Sequence, residues 1–416
     1  MKRRVVITGL GVIAPNGIGK DAFWKSLKEG GSGIKKITSF DASTYPCQVA
    51  GEVCNFDPMN YMDPKTAKRM DRFSHFALAC SKMAFEDALL EINGNNDGRV
   101  GVVSGSALGG MPYAEYQHAI FMEKGLKRID PLLAIKLFPG EGASQISIHL
   151  KVKGPVYTMS TACVSGVDAA GLGFSLIKDN TVDVAIVGGS EAPLAPMTFG
   201  AFCNVGALTK ANRNPQSACK PFDIERDGFV MSEGGGFLVL EELVHAIRRD
   251  APIYAEIAGF GATSDAYHMT RSCPDGGGAV HAIRIALNEA NLDPLSLEYV
   301  NAHGTSTAQN DEIETIVIKK VFGDYAYDIP ISANKSMTGH SLGAAGAIEL
   351  IASVLTIQKG FIPPTINYRH PDPQCDLDYV PNKGIERSVN TVLSNSFAFG
   401  SRNAAVIIKK YENGHF

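Results

Sequence analysis

Short apolar runs alternate along the chain with longer stretches in which apolar residues recur at helical spacing. Runs of the first kind predict β-strands, and stretches of the second kind predict amphipathic helices. The predicted strands span residues 4–8, 100–104, 184–188, 236–240, 254–259, 299–302, 329–332, 390–393 and 404–409. The predicted helices span residues 67–89, 167–178, 279–288, 311–321 and 345–358. Because strands and helices alternate from end to end, the pattern indicates an α/β protein.

Two segments of the N-terminal half recur in weaker form in the C-terminal half. Residues 5–12 resemble residues 256–262, and residues 159–171 resemble residues 334–346. Each member of the second pair combines a strand, a turn rich in Ser, Thr and Gly, and a helix that opens with small residues. We therefore predict duplicated βαβ halves, residues 1–250 and 251–416. A pseudo-twofold axis between them would place a cysteine of one turn opposite a histidine of the other.

The composition narrows the class of protein further. With 416 residues, of which 45% are hydrophobic, the chain can build a large core in two domains or one duplicated unit. Its net charge of −4 gives no reason to expect nucleic-acid binding. No apolar stretch reaches the roughly 20 residues of a membrane span, and the first residues lack a signal-peptide cleavage site. We therefore expect a cytoplasmic protein whose eight scattered cysteines are free thiols rather than disulfides.

A glycine pattern near the N-terminus, Gly9-Leu-Gly-Val-Ile-Ala14, fits the loose dinucleotide-binding motif. Pro15, Asn16 and Gly17 follow at once, so no helix begins where a pyrophosphate would need one. A tight turn after a strand is the favoured interpretation, and no cofactor is predicted.

The sharpest signal in the first half is Ser160-Thr-Ala-Cys163-Val-Ser-Gly-Val. Cys163 is predicted in the first turn of the helix that runs to residue 178, where main-chain amides and the helix dipole stabilise a thiolate. Small neighbours would let a substrate approach and would leave amides free for an oxyanion. A buried structural cysteine is the competing interpretation, and on this segment alone it is slightly favoured.

Two further junctions support a chemical role. The segments Asn301-Ala-His303-Gly-Thr-Ser-Thr307 and Lys335-Ser-Met-Thr-Gly-His340 each place a histidine in a polar turn after a strand, which suits catalysis. Three strand–turn–helix junctions that carry one cysteine and two histidines, with a lysine, are difficult to explain by packing alone. A metal site is discounted, because these residues lack a local pair of ligands.

These turns, taken with Gly343-Ala-Ala-Gly346, resemble the β-ketoacyl-acyl carrier protein synthases, most closely the elongating type II enzymes with a Cys-His-His triad. The resemblance covers nearly the whole chain and includes residues 3–11, 221–229, 264–270 and 363–367 in the family's order. It implies a thiolase-like fold, with two five-stranded halves in a layered α/β/α/β/α sandwich. It also implies an acyltransferase of fatty-acid elongation. Such an enzyme condenses an acyl-cysteine with malonyl-acyl carrier protein, with loss of CO₂, to give 3-oxoacyl-acyl carrier protein.

The resemblance also assigns roles to individual residues. Cys163 would carry the acyl group, and the amides of Cys163 and Phe399 would hold the thioester oxyanion. His303 and His340, as neutral imidazoles protonated at Nε2, would donate hydrogen bonds to the enolate. Lys335 would pair with Glu349 and fix the turn that carries His340. The remaining positions are Asp311 and Glu314 as supports of the loop, Thr305 and Thr307 on the pantetheine arm, and Leu108, Thr198, Phe202 and Leu342 in the acyl pocket.

Partner proteins follow from the same resemblance. Carrier proteins are acidic, so a local basic patch is expected despite the negative net charge. Lys65, Lys68, Arg69 and Arg72 have helical spacing, and Lys127 with Arg128 is a second candidate; a solvated helix face explains any one of these residues equally well. A homodimer is implied, and a heterodimer with a related subunit is left open.

The C-terminal signature departs from the family pattern. Where the family commonly has Phe-Gly-Phe-Gly-Gly-Thr-Asn, this chain has Phe397-Ala-Phe-Gly-Ser-Arg-Asn403. Phe399, the expected gate over Cys163, is retained. Ala398 and Ser401 replace glycines that could adopt positive φ, so we predict a stiffer hinge, and Arg402 adds a charge.

The pocket residues also differ from the usual ones at Ala107, Leu108, Pro193 and Thr198. We therefore predict a narrower or reshaped acyl pocket, and a specialised type II polyketide or polyene ketosynthase stays open as a variant of the same chemistry. The sequence does not fix acyl chain length, saturation or pathway.

Two alternatives come from other classes of protein. A noncatalytic partner subunit, like the chain-length factors, usually lacks the nucleophile, and the intact Cys163, His303 and His340 argue against it. A degradative thiolase uses a second cysteine near the C-terminus, whereas no cysteine follows Cys375. A bound structural cation near Asn301, Glu349, Ser394 and Asn395 is left open, because spacing alone does not support it.

Overall fold

The computed structural model of the protein describes residues 3–94 and 96–412. The start and the end of the two predicted halves, residues 1–2 and 413–416, therefore lie outside the described residues. The strands are β1 Val5–Ala14, β2 Gly17–Ile18, β3 Lys35–Lys36, β4 Val49–Ala50, β5 Val100–Gly105, β6 Val156–Met159, β7 Val184–Glu191, β8 Gly234–Glu242, β9 Ala255–Ser264, β10 Tyr299–Asn301, β11 Ile331–Ser332, β12 Phe361–Ile362, β13 Ile385–Glu386, β14 Thr391–Ala398 and β15 Arg402–Lys409.

The α-helices lie between these strands. They are α1 Lys20–Glu29, α2 Pro64–Lys68, α3 Arg72–Asp87, α4 Met111–Lys124, α5 Leu133–Leu137, α6 Glu141–Leu150, α7 Ser165–Lys178, α8 Pro196–Val205, α9 Leu243–Arg248, α10 Gly277–Ala290, α11 Ala308–Phe322, α12 Lys335–Thr338 and α13 Ala345–Lys359.

The main sheet has eleven strands: β2 pairs with β1, and the other ten strands form two five-stranded sets that repeat the same order. The N-terminal set runs β6-β5-β7-β8-β1, and the C-terminal set runs β11-β10-β14-β15-β9. In each set the first three strands are parallel and the remaining contacts are antiparallel. The sets join where residues 5–7 of β1 pair with residues 255–257 of β9. The predicted duplication is therefore confirmed, and the boundary predicted near residue 250 falls between α9 and β9.

The helices complete five layers. The helices α7 and α13 pack against each other between the two strand sets, α3 covers β1 and β8, and α10 covers β9 and β15. This is the predicted α/β/α/β/α sandwich. Helix α13 is buried on almost every side, as its all-round apolar sequence requires. The segment Leu342–Lys359 is long and apolar enough to cross a membrane, but 89% of it is buried inside the protein, which is the environment of a core helix.

Paired glycines explain the repeat between residues 5–12 and 256–262. Gly9 and Gly11 of β1 lie against the main chain of α3, and Gly259 and Gly261 of β9 lie against that of α10. A Cβ at any of these four positions would overlap a helix carbonyl oxygen. The glycines therefore serve close strand–helix packing in both halves, and the N-terminal pattern needs no dinucleotide to account for it.

Every predicted strand overlaps an observed strand, and four of the five predicted helices match. The helix predicted over residues 67–89 is wrong as a single element, because α2 ends at Lys68 and α3 begins at Arg72. Asp71 between them is extended, with φ −92° and ψ 167°. The sequence prediction missed β6 and the helices α1, α4, α6 and α8, and also the short elements β2, β3, β4, β12, β13, α5, α9 and α12.

Candidate active site

Cys163 lies at the junction between β6 and the central helix α7. It is the middle residue of a 3₁₀ turn, Ala162–Val164, that leads directly into α7, so it precedes the predicted first α-helical turn. Ala162 has a left-handed φ of 57°. The Ser165 hydroxyl holds this strained backbone, because it accepts from the amide of Thr161 at 2.9 Å and donates to the carbonyl of Ala162 at 2.6 Å.

The C-terminal half contains the matching turn. A 3₁₀ turn, Leu342–Ala344, leads into α13, and its first residue has φ 44°. The two turns pack against each other, and a Cβ on Gly166 of α7 would lie 2.9 Å from the carbonyl oxygen of Gly343. The predicted meeting of the two turns is therefore present, with His340 just before the second turn.

A cavity of about 410 Å³ brings the predicted chemistry together. Cys163, His303 and His340 all line it. Its other lining residues include the predicted pantetheine residues Thr305 and Thr307, the predicted pocket residues Phe202 and Leu342, and the predicted gate Phe399. Of the described cysteines, only Cys163 lines this cavity.

Two predicted pocket residues lie elsewhere. Leu108 does not line the cavity, but it packs in the apolar cluster that also contains Cys163, Phe202 and Leu342. Thr198 is a correction: it lies near the start of α8, where its amide and hydroxyl both donate to the Glu115 carboxylate, at 3.0 and 3.2 Å. That side chain therefore holds α8 to α4 instead of facing the cavity.

Lys335 anchors His303 from behind. The ammonium forms an ion pair with Glu349 at 2.5 Å, as predicted, and donates to the His303 carbonyl at 2.7 Å. It also lies 3.2 Å from His303 Nδ1. Because an ammonium can only donate, Nδ1 is the acceptor and the ring proton of neutral His303 is on Nε2. The lysine was predicted to fix the His340 turn; its contacts place it on His303.

Both histidines are held neutral. Burial lowers the pKa of His303 well below its ordinary value, and the charge of Lys335 and the electrostatic influence of the neighbouring His340 lower it further. Burial and Lys335 likewise lower the pKa of His340 well below the ordinary value. The two rings meet edge to face with centroids 5.4 Å apart. Neutral imidazoles are hydrogen-bond donors at one nitrogen, so the pair suits stabilisation of a developing oxyanion.

Two buried carboxylates fix the loop that follows β10. Glu314 accepts from the amides of His303 and Gly304, each at 2.8 Å. Asp311 accepts from the amide of Phe222 at 2.8 Å and lies 3.7 Å from the guanidinium of Arg226. Burial raises the pKa of Glu314 to about 7 and that of Asp311 to about 6. Glu314 thus performs the predicted supporting role directly, while Asp311 ties α11 to residues 222–226.

The cysteine is a neutral thiol in this environment. Burial raises the pKa of Cys163 to about 12; Glu191 and Glu349 also raise it, and Lys335 lowers it. The thiolate expected from the position near a helix start is therefore not the resting form, because apolar walls outweigh the main-chain amides. Proton transfer from sulfur must accompany attack on a substrate.

Oxygen atoms without partners cluster behind the histidines. Glu349 Oε2, Ser394 Oγ and Asn395 Oδ1 are buried and form no hydrogen bond within the described residues. Asn301 pairs with Ser394 in the sheet, and its side-chain amide donates to the Glu349 carbonyl at 2.9 Å. Carboxylate, amide and hydroxyl oxygens are ligands of hard cations, so these residues fit the structural cation that the sequence left open.

The substituted signature residues join the two sides of the cavity mouth. Ser401 has φ 61°, as glycine at this position would allow. Its hydroxyl accepts from the amides of Tyr267 and His268, at 3.2 and 3.1 Å, and donates to the His268 carbonyl at 2.8 Å. Arg402 donates to the carbonyl of Ser160 at 3.2 Å. Hydrogen bonds thus restrain the hinge at residues 398–402, which also lacks two of the family's glycines.

The predicted basic patch is divided between two environments. Lys65, Lys68 and Arg69 are exposed on and just after α2. Arg72 is half-buried at the start of α3 and is paired with Glu233 at 2.6 Å, so it is not free to bind a partner. The second candidate, Lys127 with Arg128, is exposed in the loop after α4.

Glu191 is a buried residue near the site that the sequence analysis missed. It ends β7, and its carboxylate accepts from the amides of Ala107, Leu108 and Gly343 and from the hydroxyl of Ser106, at 2.7 to 3.1 Å. The signal in the sequence was a glutamate that closes an otherwise apolar strand, Val184–Glu191.

Comparison with known proteins places this geometry in a family. Residues 2–246 match the N-terminal domain of β-ketoacyl synthases, and residues 254–369 match the C-terminal domain. A 3-oxoacyl-[acyl-carrier-protein] synthase 2 of Synechocystis sp. is 46% identical over 411 residues, covering 99% of both chains. A solved type II polyketide ketosynthase in complex with its acyl carrier protein is 37% identical with a TM-score of 0.89, over 99% of this chain and 100% of that one. The ishigamide ketosynthase/chain length factor, also 37% identical, has a TM-score of 0.92 over the same shares.

Proposed function

The chain belongs to the β-ketoacyl synthase family and is a condensing acyltransferase, and we propose that Cys163 is the residue on which it carries the acyl chain. The reaction is that of fatty-acid elongation, in which an acyl group is joined to malonyl-acyl carrier protein with loss of CO₂. The observation that carries the assignment is the shared cavity of Cys163, His303 and His340. Its walls come from both halves of the fold, so no local packing requirement explains the combination.

In the first half-reaction, Cys163 takes the acyl group from the phosphopantetheine arm of the carrier. The sulfur attacks the thioester carbon, the carbon–sulfur bond to the carrier breaks, and the proton of Cys163 passes to the departing thiolate. The amides of Cys163 and Phe399 hold the oxyanion of the tetrahedral intermediate. Thr305 and Thr307, whose hydroxyls are 2.9 Å apart on the cavity wall, bind the arm.

In the second half-reaction, malonyl carrier protein occupies the same cavity. Loss of CO₂ leaves an enolate, whose oxygen accepts hydrogen bonds from Nε2–H of His303 and His340. The enolate carbon attacks the acyl carbon, a carbon–carbon bond forms, and the bond to Cys163 sulfur breaks. A proton taken up from solvent returns the thiolate to the thiol. Lys335 keeps the His303 proton on Nε2 throughout, because it occupies the Nδ1 side.

The buried oxygens without hydrogen-bond partners also need ligands. A cation held by Asn301, Glu349, Ser394 and Asn395 would supply a partner to these oxygens and would stiffen the β10 and β14 strand ends. It takes no part in the bonds that form or break.

Two observations concern the alternatives. A noncatalytic partner subunit has no use for a neutral His-His pair beside a cysteine, so that function is not favoured. A thiolase needs a second cysteine at the site, and Cys375 is buried in the core of the C-terminal half. A polyketide pathway employs the same chemistry, so the acyl group offered by the carrier distinguishes it from fatty-acid elongation.

The chain acts in the cytoplasm as a homodimer in this proposal. Within residues 3–94 and 96–412, the edge strand β6 pairs with β5 alone, and its residues Val156 and Tyr157 are 38% and 46% exposed. Apolar side chains of α4, α5 and α6 are exposed on the same part of the molecule, including Phe121, Ile135 and Ile148. An apolar face of this kind beside an open sheet edge fits a second copy of the chain.

The decisive experiment is intact-protein mass spectrometry after the enzyme is mixed with a panel of acyl carrier proteins, beside Cys163→Ala. We expect an acyl adduct on the wild type alone, which discharges when malonyl carrier protein is added. The acyl groups that form adducts also test the reshaped pocket, since an ordinary long-chain profile would contradict it. No adduct with any donor would overturn the proposed role of Cys163.

A further inference from the structure

The duplication of the fold creates a second position equivalent to that of Cys163. The turns Ala162–Val164 and Leu342–Ala344 are both three-residue 3₁₀ turns, both open with a left-handed residue, and both lead into a central helix. Gly343 is therefore the counterpart of Cys163. Its amide corresponds to the amide that holds the thioester oxyanion in the proposed function.

The strands behind the two turns are equivalent as well. The strands β7 and β14 each have eight residues, and each lies in parallel beside the strand that precedes a site loop. The turn at Cys163 packs on β14, and the turn at Gly343 packs on β7. The last residue of β14 is Ala398, next to the gate Phe399, and the last residue of β7 is Glu191. Strand β14 thus ends with a small residue beside an open cavity, whereas strand β7 ends with a carboxylate.

That carboxylate fills the second position. Glu191 Oε2 accepts from the amide of Gly343 at 3.0 Å and from that of Ala107 at 2.7 Å. A Cβ on residue 343 would lie 2.6 Å from the same oxygen and 2.5 Å from the amide nitrogen of Ala107, so no side chain fits there. The glutamate is completely buried, and its second oxygen is occupied by Ser106 and Leu108, at 3.0 and 3.1 Å.

We propose that Glu191 is a positioning residue for condensation, because its carboxylate occupies in one half the place that the thioester oxygen takes in the other. It ties the turn next to His340 to residues 106–108, which belong to the opposite half and include the predicted pocket residue Leu108. The proposal rests on the proposed function, since it concerns where His340 and the acyl chain are held. What is added to the proposed function is a glutamate, buried beneath the site, that sets the positions of His340 and of the acyl chain.

Removing the carboxylate should affect the two half-reactions differently. Acylation by a short acyl donor depends on Cys163 and its own amide, with which Glu191 forms no hydrogen bond, whereas condensation needs His340 in place. In Glu191→Ala, we expect acylation within about 3-fold of the wild type. We expect condensation on the acylated enzyme to fall about 10- to 100-fold, as displacement by a fraction of an ångström can produce. Glu191→Gln keeps the volume of the side chain but turns the NH₂ group of the carboxamide toward main-chain N–H groups. Two donors cannot pair, so this variant should lose condensation to a similar extent.

Chemical rescue separates positioning from a general loss of folding. Sodium formate supplies a carboxylate small enough for the space left in Glu191→Ala, and should restore condensation there at least several-fold. It should not help Glu191→Gln, whose side chain still occupies the site, nor the wild type. The matched control is Glu141→Gln, which alters another buried glutamate. Glu141 begins α6 and accepts a hydrogen bond from Ser74 of α3, so this variant should leave both half-reactions unchanged.

The wild-type adduct on Cys163, measured first, shows independently whether the proposed function holds. The Glu191 proposal is overturned if acylation and condensation fall together in both variants, if both variants condense at the wild-type rate, or if formate restores nothing in Glu191→Ala. Should Glu191→Ala not fold, the two half-reactions of Glu191→Gln decide, with a selective loss of condensation as the supporting result.

Discussion

At the scale of the residue, burial and the charge of one lysine together keep two histidines neutral. Lys335 contacts Nδ1 of His303, and its charge reaches both rings in a site where burial already disfavours imidazolium. Both pKa values lie well below the ordinary one, so lowering the pH protonates the rings only far on the acid side. The neutral donors needed for the enolate are therefore present throughout the physiological range.

This predicts the pH profile of condensation on pre-acylated enzyme. The rate should be level from about pH 6 to about pH 8, with an acid limb well below the ordinary histidine pKa of about 6.5. Lys335→Met removes the charge that lowers both pKa values, so its acid limb should move toward neutral pH. The measurement is single-turnover condensation by rapid quench. A wild-type limb centred near 6.5, or an unshifted limb in Lys335→Met and in the pair-deleted Lys335→Met/Glu349→Gln, would contradict the assignment.

Ser401 is a second residue whose effect is local and measurable. Its hydroxyl joins the turn that carries Phe399 to residues 267 and 268 across the cavity mouth. Ser401→Gly and Ser401→Ala both remove these bonds, and only the glycine variant also relieves the left-handed backbone. Losing about 1 kcal/mol of hydrogen-bond free energy should make the population of molecules whose cavity mouth is open about 5-fold larger.

Hydrogen exchange at residues 265–268 and the acylation rate measure that population. We expect both the exchange rate and the acylation rate to rise about 5-fold in Ser401→Gly and in Ser401→Ala. The free energy of unfolding of the alanine variant should be about 1 kcal/mol lower than that of the glycine variant, because alanine must keep a positive φ. Unchanged exchange in both variants would show that the mouth opens without breaking the Ser401 contacts.

At the scale of the element, helix α2 is the part of the surface best suited to an acidic carrier. It is short and capped by Asp63, and it presents Lys65 and Lys68, with Arg69 directly after it. Charge reversal at Lys68 and Arg69 should slow turnover with acyl carrier protein about 10-fold at low salt, because it removes attraction during encounter. Reaction with a small acyl thioester should be unchanged.

Two matched variants complete that test. Lys127→Glu/Arg128→Glu examines the second basic candidate, and Lys25→Glu places a reversed charge on exposed α1 as a control. Equal loss with carrier and small thioester would rule out docking through α2, and a carrier-specific loss in the Lys127/Arg128 variant alone would move the docking surface to the loop after α4.

The elements also show what the sequence could predict. Apolar runs such as those of β1, β7 and β14 were found because each is buried on both faces. Strand β6 was missed, since it is a short, half-exposed edge that follows Pro155. The false continuity of α2 and α3 had a visible warning in Asp63-Pro64 and Asp71, which are residues that begin helices. The predicted site residues meet at one cavity because they stand in turns at strand ends, but the hydrogen bond from Gly343 to Glu191 joins the two halves of the fold, and no local pattern encodes it.

At the scale of the whole molecule, the edge strand connects assembly to catalysis. Strand β6 runs through residues 160 and 161 into the turn of Cys163, so whatever covers its open side also steadies the nucleophile. A second copy related by a twofold axis would pair the two β6 strands antiparallel and cover the exposed apolar side chains of α4 to α6. We predict that the wild type has twice the mass of the chain in light scattering after size exclusion.

Tyr157→Lys places a charge at this edge and should give the mass of one chain, together with slower acylation of Cys163. Val244→Lys, which charges an exposed apolar position on α9, should remain a dimer with wild-type acylation. If the wild type itself has the mass of one chain, the homodimer is wrong, and mixing with a chain-length-factor-like subunit becomes the test of what covers β6. If Tyr157→Lys is still a dimer that acylates normally, the interface lies elsewhere, and the exposed edge beside Cys163 has no bearing on its reactivity.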